Sequence, residues 1–341
     1  MSTINNSFII KPAAEELLVS IIIPVFNEEE TLQACYEQIV RAIAYSCVKF
    51  EFIFIDDGST DKSVEILQCI QSNDERVKQI MLSRNFGKEA AMSAGLKFSS
   101  GDAVIIIDAD LQDPPEQINT MIDKWLEGAE VVCMRRRSRA GETAFKKATS
   151  HLYYRILSLL SDIPIPMDVG DFRLMSRKVV DATNRLQEAN RYMKGLFAWV
   201  GFSPVYIDYD RAPRVAGKTK WNNLGLFRLA IQGITSFSVV PLRFMIFSGL
   251  IVAGGGIAFG VWIMLKTLVF GEAVAGYPSL VSLITFLGGM QLFATGVLGE
   301  YIGKVYIEAK KRPLYVVDKV SGIDDPTEVY NDKYEYTADA G

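Results

Sequence analysis

The chain runs to 341 residues with 36 Lys and Arg against 40 Asp and Glu, a formal net charge of −4, and 49% of its residues are hydrophobic. That length exceeds one ordinary domain, and the apolar share is high for a wholly soluble protein. The mildly acidic balance leaves no electrostatic footprint for nucleic acid, so no nucleic-acid partner is expected.

Residues 1–17 lack a basic stretch followed by a short apolar run, so they are expected to form a loose extension and not a signal peptide. From residue 18, LVSIIIPV, FEFIFID, VKQIML, AVIIID and EVVCM alternate with stretches of helix-forming composition. This alternation predicts an α/β domain over 18–221, a mostly parallel sheet with helices on both faces. Such sheets bind ligands beyond the carboxyl ends of their strands. Asn27 and Glu28 follow strand one, Asp56 and Asp57 strand two, Arg84 and Asn85 strand three, and Asp108 and Asp110 strand four. Asn27 with Glu30, and Asp113 with Glu116, have the spacing of helix caps with reciprocal acids, and Pro114 suits a first helical position. Cys35, Cys47, Cys69 and Cys133 form no CxxC pair and lie in apolar patterns, which predicts reduced core residues facing a cytoplasm.

The loop Asp108-Ala109-Asp110-Leu111-Gln112-Asp113 follows the apolar run VIII directly. Its first two carboxylates are hard oxygen ligands on one short loop, suited to Mg²⁺ or Mn²⁺ with phosphates and waters completing the shell, or to a ribose. A calcium EF-hand is excluded, because Asp113 stands where that loop needs glycine and Asn119 where it needs a bidentate glutamate. Capping of the next helix accounts for Asp113 better than for Asp108. No GxGxxG follows strand one and no GxxxxGK[ST] occurs, which removes the main support for dinucleotide binding and P-loop hydrolysis. The single histidine, His151, sits before Tyr153 and Tyr154 in a helical pattern, so a Ser-His-Asp hydrolase has no core.

Arg135, Arg136, Arg137 and Arg139, followed by Lys146 and Lys147, end strand five and open a loop. Contact with lipid phosphate or anionic headgroups and a simply solvated surface are both open readings. Leu224, Phe227, Ile231 and Ile234 recur at helical spacing and predict an amphipathic helix over 222–240, lying on the inner leaflet or packed on the catalytic domain. Residues 244–265 and 277–299 are charge-free apolar runs of 22 and 23 residues. At 1.5 Å per residue each spans about 33 Å, enough for a hydrocarbon core of about 30 Å. They predict two transmembrane helices within 241–304. Arg228 and Arg243 precede the pair and Lys304, Lys310, Lys311 and Arg312 follow it, while the connecting loop offers Lys266. A multi-pass inner-membrane protein with its catalytic domain and both termini cytoplasmic is therefore expected. GxxxG spacings at Gly256–Gly260 and Gly299–Gly303 permit close helix contact within or between subunits, and a homo-oligomer is expected. The segment 305–341 loses apolar density after Arg312 and is expected to end as a disordered cytoplasmic tail.

IPVFNEEETL (23–32), DDGSTD (56–61), RNFGKEAAMSAG (84–95), DADLQDPPE (108–116) and GDFRLM (170–175) resemble the family 2 glycosyltransferases. The likeness is greatest to the polyprenyl-phosphate hexose synthases, a group that includes dolichol-phosphate mannose synthase and the bactoprenol glucosyltransferases, and it covers about residues 18–312. It implies a GT-A-like fold and an inverting, metal-dependent transfer of a hexose, glucose from UDP-glucose, onto polyprenyl (undecaprenyl) phosphate at the cytoplasmic leaflet of the bilayer. Pro24, Phe26 and Glu28 match the stretch that borders the nucleoside and holds its ribose, Asp57 the acid that faces uracil, and Lys88 a basic position near the nucleotide. Asp108, Ala109, Asp110 and Gln112 match the diphosphate and metal site, with Mg²⁺ or Mn²⁺ on Asp108, Asp110 and Gln112. Asp171 matches an acid beside the reacting sugar and acceptor. Arg191, Arg214 and Lys218 match a flexible basic loop closing over the diphosphate and the acceptor phosphate.

Elementary chemistry agrees with that division. A departing nucleotide diphosphate needs its developing charge neutralised by cations in a closed site. A lipid monophosphate is already anionic near neutral pH, since its second ionisation lies near pH 6, so Asp171 can orient the acceptor or balance charge without being an obligatory base. One alternative is a processive polysaccharide synthase, opposed by the small number of spans and by RYMKGLFAW (191–199) in place of QxxRW. Another is a non-catalytic nucleotide-sugar-binding scaffold, opposed by the retained acids and basic loop.

Overall fold

A computed structural model describes residues 14–137, 169–186, 188, 191–210, 238–270 and 276–323. The chain divides into two units, one comprising 1–150, 165–221 and 313–341, the other 151–164 and 222–312.

The first unit holds strands β1 (Leu18–Val25), β2 (Lys49–Asp56), β3 (Val77–Leu82), β4 (Ala103–Ile106), β5 (Val131–Arg136), β6 (Val169–Ser176), β7 (Pro204–Tyr209) and β8 (Val317–Ser321). Between them lie helices α1 (Leu32–Ile43), α2 (Ser63–Asn73), α3 (Lys88–Phe98), α4 (Gln117–Leu126), α5 (Arg177–Asn184) and α6 (Met193–Trp199). The strands form one eight-stranded sheet in the order β7-β5-β6-β4-β1-β2-β3-β8. β1 runs parallel to β2 and β4, β2 to β3, and β5 to β7. β6 runs antiparallel between β4 and β5, and β8 antiparallel beside β3. The mostly parallel α/β sheet that alternation in the sequence predicts is present.

Burial on both faces explains the composition of its centre. Ile21 and Ile23 of β1 and Phe52 and Phe54 of β2 point into one core with Leu32, Cys35 and Ile39 of α1 and Ile118, Met121 and Ile122 of α4. Successive residues of a strand face opposite sides, so Ile22 and Ile55, both fully buried, belong to the other face. There they meet α3, where a Cβ on Gly95 would lie 2.4 Å from Ile22 Cγ2 and 2.9 Å from Ile55 Cδ1. Glycine lets the helix axis approach the sheet more closely than any side chain would allow. Each fully buried isoleucine contributes on the order of 2 kcal/mol of transfer free energy, so the sheet centre is the stable platform of the molecule.

Local capping yields to long-range partners at two helix starts. α1 begins after Thr31, and Asn27, with φ 52°, instead accepts the N–H of Thr60 on its Oδ1 at 2.8 Å. α4 begins after Glu116, past the expected cap Asp113, whose Oδ1 accepts the Tyr209 hydroxyl at 2.6 Å. The expectation of four core cysteines is also corrected. Cys35 and Cys133 are buried, whereas Cys47 and Cys69 are exposed. Cys69 lies on α2 off the face that buries Ser63, Leu67 and Ile70.

In the second unit both apolar runs are helical, as α7 (Val240–Phe270) and α8 (Tyr277–Ala309). Val240–Trp262 is long and apolar enough to cross a bilayer by length and composition. Along α7 the side chains of Phe244, Ile246, Phe247, Leu250 and Ile251 are all more than 60% exposed, a continuous apolar surface unsuited to water. The Tyr301 hydroxyl of α8 donates to the carbonyl of Ser238, just ahead of α7, at 2.6 Å.

Residues 317–321, which the sequence assigns to the tail, add β8 to the open edge of β3. The amphipathic helix over 222–240 up to residue 237, together with Arg139, Lys146, Lys147, His151, Arg214, Lys218, the extension 1–13 and the tail from 324, lies outside the described residues.

Candidate active site

The parallel run β4-β1-β2-β3 places the loops after four strands at one edge of the sheet. β6 is antiparallel to β4 with Arg173 opposite Ile106, so its amino-terminal end, carrying Asp171, arrives where β4 delivers Asp108. Lys88, the first residue of α3, closes the gap between them. Its Nζ lies 2.6 Å from Asp108 Oδ1 and 2.6 Å from Asp171 Oδ2. Desolvation disfavours the Lys88 ammonium, but the fields of Asp108 and Asp171 and their hydrogen bonds outweigh it and raise its pKa. Desolvation likewise works against the Asp171 carboxylate. The positive charges of Lys88, Lys194 and Arg173 more than compensate and hold Asp171 well below the usual carboxylate range.

The loop after β4 turns sharply. Leu111 has φ 58°, a left-handed conformation unusual outside glycine, and it allows Asp110 Oδ1 to accept the N–H of Gln112 at 3.1 Å. Such departures gather at sites that the surrounding structure over-determines. Asp110 and Ala109 are buried and Gln112 is half-buried. Beside this loop, Asp57 accepts the N–H groups of Phe86 at 2.7 Å and Gly87 at 2.9 Å. Burial raises its pKa and those two hydrogen bonds oppose the rise. Gly58 makes the juxtaposition possible, since with φ 72° its Cβ would fall 2.6 Å from the carbonyl carbon of Arg84. Asp57 thus anchors the loop that presents Lys88. At the end of β1, Pro24, Phe26 and Glu28 are half-buried. The Glu28 N–H donates to Ser63 Oγ at 2.9 Å and its Oε2 accepts the Thr31 hydroxyl at 3.1 Å.

Residues 20–183 match the family model for glycosyl transferase family 2. The prophage bactoprenol glucosyl transferase homolog of Escherichia coli (strain K12) is 45% identical over 302 residues, which cover 89% of this chain and 99% of the relative. The chain belongs to glycosyl transferase family 2. The SfII prophage-derived bactoprenol glucosyl transferase of Shigella flexneri is 46% identical over 301 residues, 88% of this chain and 97% of the relative. An uncharacterised glycosyltransferase of Synechocystis sp. is 46% identical over 307 residues, 90% of this chain and 96% of the relative.

In this family 2 glycosyltransferase the donor set at Asp108, Asp110 and Gln112 consists of two carboxylates and an amide on one tight turn. Among the described residues no group of three or more His, Cys, Asp or Glu side chains is arranged to hold a cation. Two carboxylates fit an ion such as Mg²⁺, which keeps waters and takes its remaining ligands from substrate phosphates.

The basic residues divide. Arg191 donates from Nη1 to Ser93 Oγ at 2.9 Å, from Nε to the Glu188 carbonyl at 3.3 Å and from Nη2 to the Leu186 carbonyl, so its guanidinium braces α3 against the chain before α6. Arg135 Nε pairs with Asp208 Oδ1 at 2.7 Å, and Arg137 lies 3.9 Å from Asp210. Arg136 donates to the Tyr209 hydroxyl at 3.4 Å. The acids and tyrosine of β7 and its end therefore engage three of the arginines that end β5.

Three residues join the site that the sequence reading leaves unassigned. Glu89 and Lys194 lie in the electrostatic field of Asp171. Arg173, 4% exposed, donates to the Gly170 carbonyl at 2.8 Å and stacks 4.1 Å from the Phe197 ring centroid. Glu89 and Arg173 stand inside the motifs RNFGKEAAMSAG and GDFRLM, but a first-turn acid and a strand arginine carry no distinctive spacing.

Proposed function

We propose that this glycosyltransferase moves a hexose, glucose from UDP-glucose, onto polyprenyl phosphate at the cytoplasmic face of the inner membrane, in one inverting displacement dependent on Mg²⁺ or Mn²⁺. The observation that carries this reading is the Asp108–Lys88–Asp171 bridge at the carboxyl edge of the sheet. It occurs in a chain whose relatives named bactoprenol glucosyl transferase match it along nearly their whole length.

Pro24, Phe26, Glu28 and Asp57 would receive the nucleoside, and Asp108, Ala109, Asp110 and Gln112 the diphosphate, with the metal on Asp108, Asp110 and Gln112. A bound divalent ion supplies charge neutralisation for the departing diphosphate. Lys88 adds a fixed cation at the same place, preorganised by its two carboxylates. Asp171, held ionised by its cationic neighbours, balances charge and orients the acceptor, whose phosphate needs little deprotonation. Arg214 and Lys218 are assigned to the closing basic loop. Arg191, engaged by Ser93 and the carbonyls of Leu186 and Glu188, braces α3 against the chain before α6.

The membrane reading draws support from a count. β7 ends at Tyr209 and β8 starts at Val317, and both belong to one sheet. The intervening chain therefore crosses any bilayer an even number of times. If Val240–Trp262 spans, a second crossing is required, and α8 is the helix available for it. Flanking basic residues favour the cytoplasmic side for the catalytic domain and both termini. The proposed organisation is an extension (1–17), the catalytic domain (18–221), an interfacial helix (222–240), two spans within 241–304 and a tail (305–341), in a homo-oligomer.

The test is incubation of purified full-length protein with radiolabelled UDP- and GDP-sugars, polyprenyl phosphate and Mg²⁺ or Mn²⁺, followed by organic extraction. Label from UDP-glucose should enter the organic phase. Long water-soluble polymer would favour a polysaccharide synthase, and tight nucleotide binding without any product a scaffold.

A further inference from the structure

Glu89, the second residue of α3, has no part in the roles assigned above. Its Oε2 accepts the N–H of Met193, the first residue of α6, at 2.9 Å. This is one of the first-turn donors that a helix leaves without an internal acceptor. One turn further along α3, Ser93 Oγ accepts Arg191 Nη1 at 2.9 Å and lies 3.7 Å from Met193 Sδ. Residues 191–193 are thus laced to the same helix whose first residue bridges Asp108 and Asp171. The next residue, Lys194, brings its positive charge into the field of both Glu89 and Asp171.

The charged groups facing Glu89 are Lys88 from α3, Asp171 from β6, and Arg191 and Lys194 from the α6 segment. Burial and then the Asp171 charge push the Glu89 carboxyl up to about 7, against the opposing effects of the Met193 N–H, Lys88 and Lys194. A carboxyl raised that far changes charge near neutral pH.

We infer that Glu89 is a positioning residue for the transfer reaction: by gripping the first turn of α6 it keeps Lys194 within the field of Asp171, giving the acceptor phosphate a cation distinct from Lys88, which serves the departing diphosphate. The identity of that acceptor rests on the function proposed above; the grip itself does not.

The test uses the full-length protein in nanodiscs, with Glu89→Gln, which keeps an acceptor for the Met193 N–H but no charge, Glu89→Ala, which keeps neither, and Lys194→Gln. With UDP-glucose and undecaprenyl phosphate, Glu89→Ala and Lys194→Gln should raise the acceptor KM about tenfold while the donor KM stays within about twofold. Glu89→Gln should match wild type below about pH 6, where Glu89 is neutral, and diverge from it above pH 7. Donor and acceptor KM moving together, or unchanged pH profiles, overturn the inference. Hydrogen exchange over 191–199 supplies a readout independent of the acceptor. It should quicken in Glu89→Ala and stay near wild type in Glu89→Gln. If wild type transfers nothing to undecaprenyl phosphate, the proposed function fails, and exchange over 191–199 still decides the grip, with wild-type exchange in Glu89→Ala refuting it.

Discussion

Lys88 and Asp171, 83 positions apart in the chain, meet at 2.6 Å, and the same ammonium holds Asp108. One cation thus ties the first turn of a helix to two strand ends of opposite direction. The bridge sets both the shape and the charge of the site: without it Asp108 and Asp171 would lose the cation they share.

Replacement of Lys88 should therefore be costly. Lys88→Ala is expected to lower kcat/KM for hexose transfer by about 10²- to 10³-fold, the range seen when a preorganised electrostatic group is lost. Lys88→Arg should recover only part of it, because a planar guanidinium cannot reproduce a point charge shared by two carboxylates. Label recovered in the organic phase measures both. Wild-type turnover in Lys88→Ala would remove the bridge from catalysis.

Asp171 and Asp110 should separate in their effects. Asp171 is held ionised far below neutrality, which makes it a poor proton acceptor. Asp171→Asn is expected to retain measurable turnover, whereas Asp110→Asn should abolish it. In wild type, Asp171 should contribute no acid limb to kcat between pH 5 and 8. Complete loss in Asp171→Asn, with intact donor and acceptor binding, would restore an obligatory base.

Removal of divalent ions should stop transfer, and Mg²⁺ or Mn²⁺ should restore it. In Asp108→Asn the ion concentration for half-maximal rate should rise by about tenfold or more, as expected when one of two carboxylate ligands is lost. Full activity in excess chelator would contradict the assignment of Asp108, Asp110 and Gln112.

Away from the site, Asp74 should mark an acid-sensitive contact. Arg76 Nε donates to its Oδ1 at 2.9 Å and the Tyr36 hydroxyl to its Oδ2 at 2.6 Å. The Arg76 hydrogen bonds lower the Asp74 pKa to about 2, with burial opposing and Tyr36 assisting. A depressed carboxylate contributes stability above its unfolded value near 4 and loses it as pH falls towards 2. Asp74→Asn is expected to cost about 1 kcal/mol at pH 7, screening at the half-exposed Arg76 keeping the figure small. Thermal unfolding in detergent should show the gap to wild type closing below about pH 3. A gap independent of pH would assign the effect to packing.

The proposed pair of crossings can be tested with the protein's own thiols. Cys47 and Cys69 are exposed in the catalytic unit. A membrane-impermeant maleimide should label them in inverted vesicles and not in intact cells. Glu272→Cys, in a Cys47→Ser and Cys69→Ser background, should label with the opposite sidedness. Equal labelling of both sites from one side would mean that neither helix crosses.

The sequence alone determined whatever depends on neighbouring residues. Near-continuous apolar runs alternating with helix-forming stretches marked β1 to β5, and the DADLQD loop paired two carboxylates because both follow one buried strand. Two long charge-free runs marked α7 and α8, since backbone satisfaction within a helix needs no partner. Tertiary structure decided what depends on sheet order. β6 runs antiparallel between β4 and β5, and that reversal, invisible in GDFRLM, delivers Asp171 to Asp108. Likewise β8 seals the β3 edge from beyond the apolar helices, Asp113 turns from its cap to Tyr209, and Arg191 reaches Ser93. In each case a polar group or strand edge took a partner far away in the chain. Burial rewards that choice by satisfying hydrogen bonds that would be costly to leave unmade, and no local pattern records it.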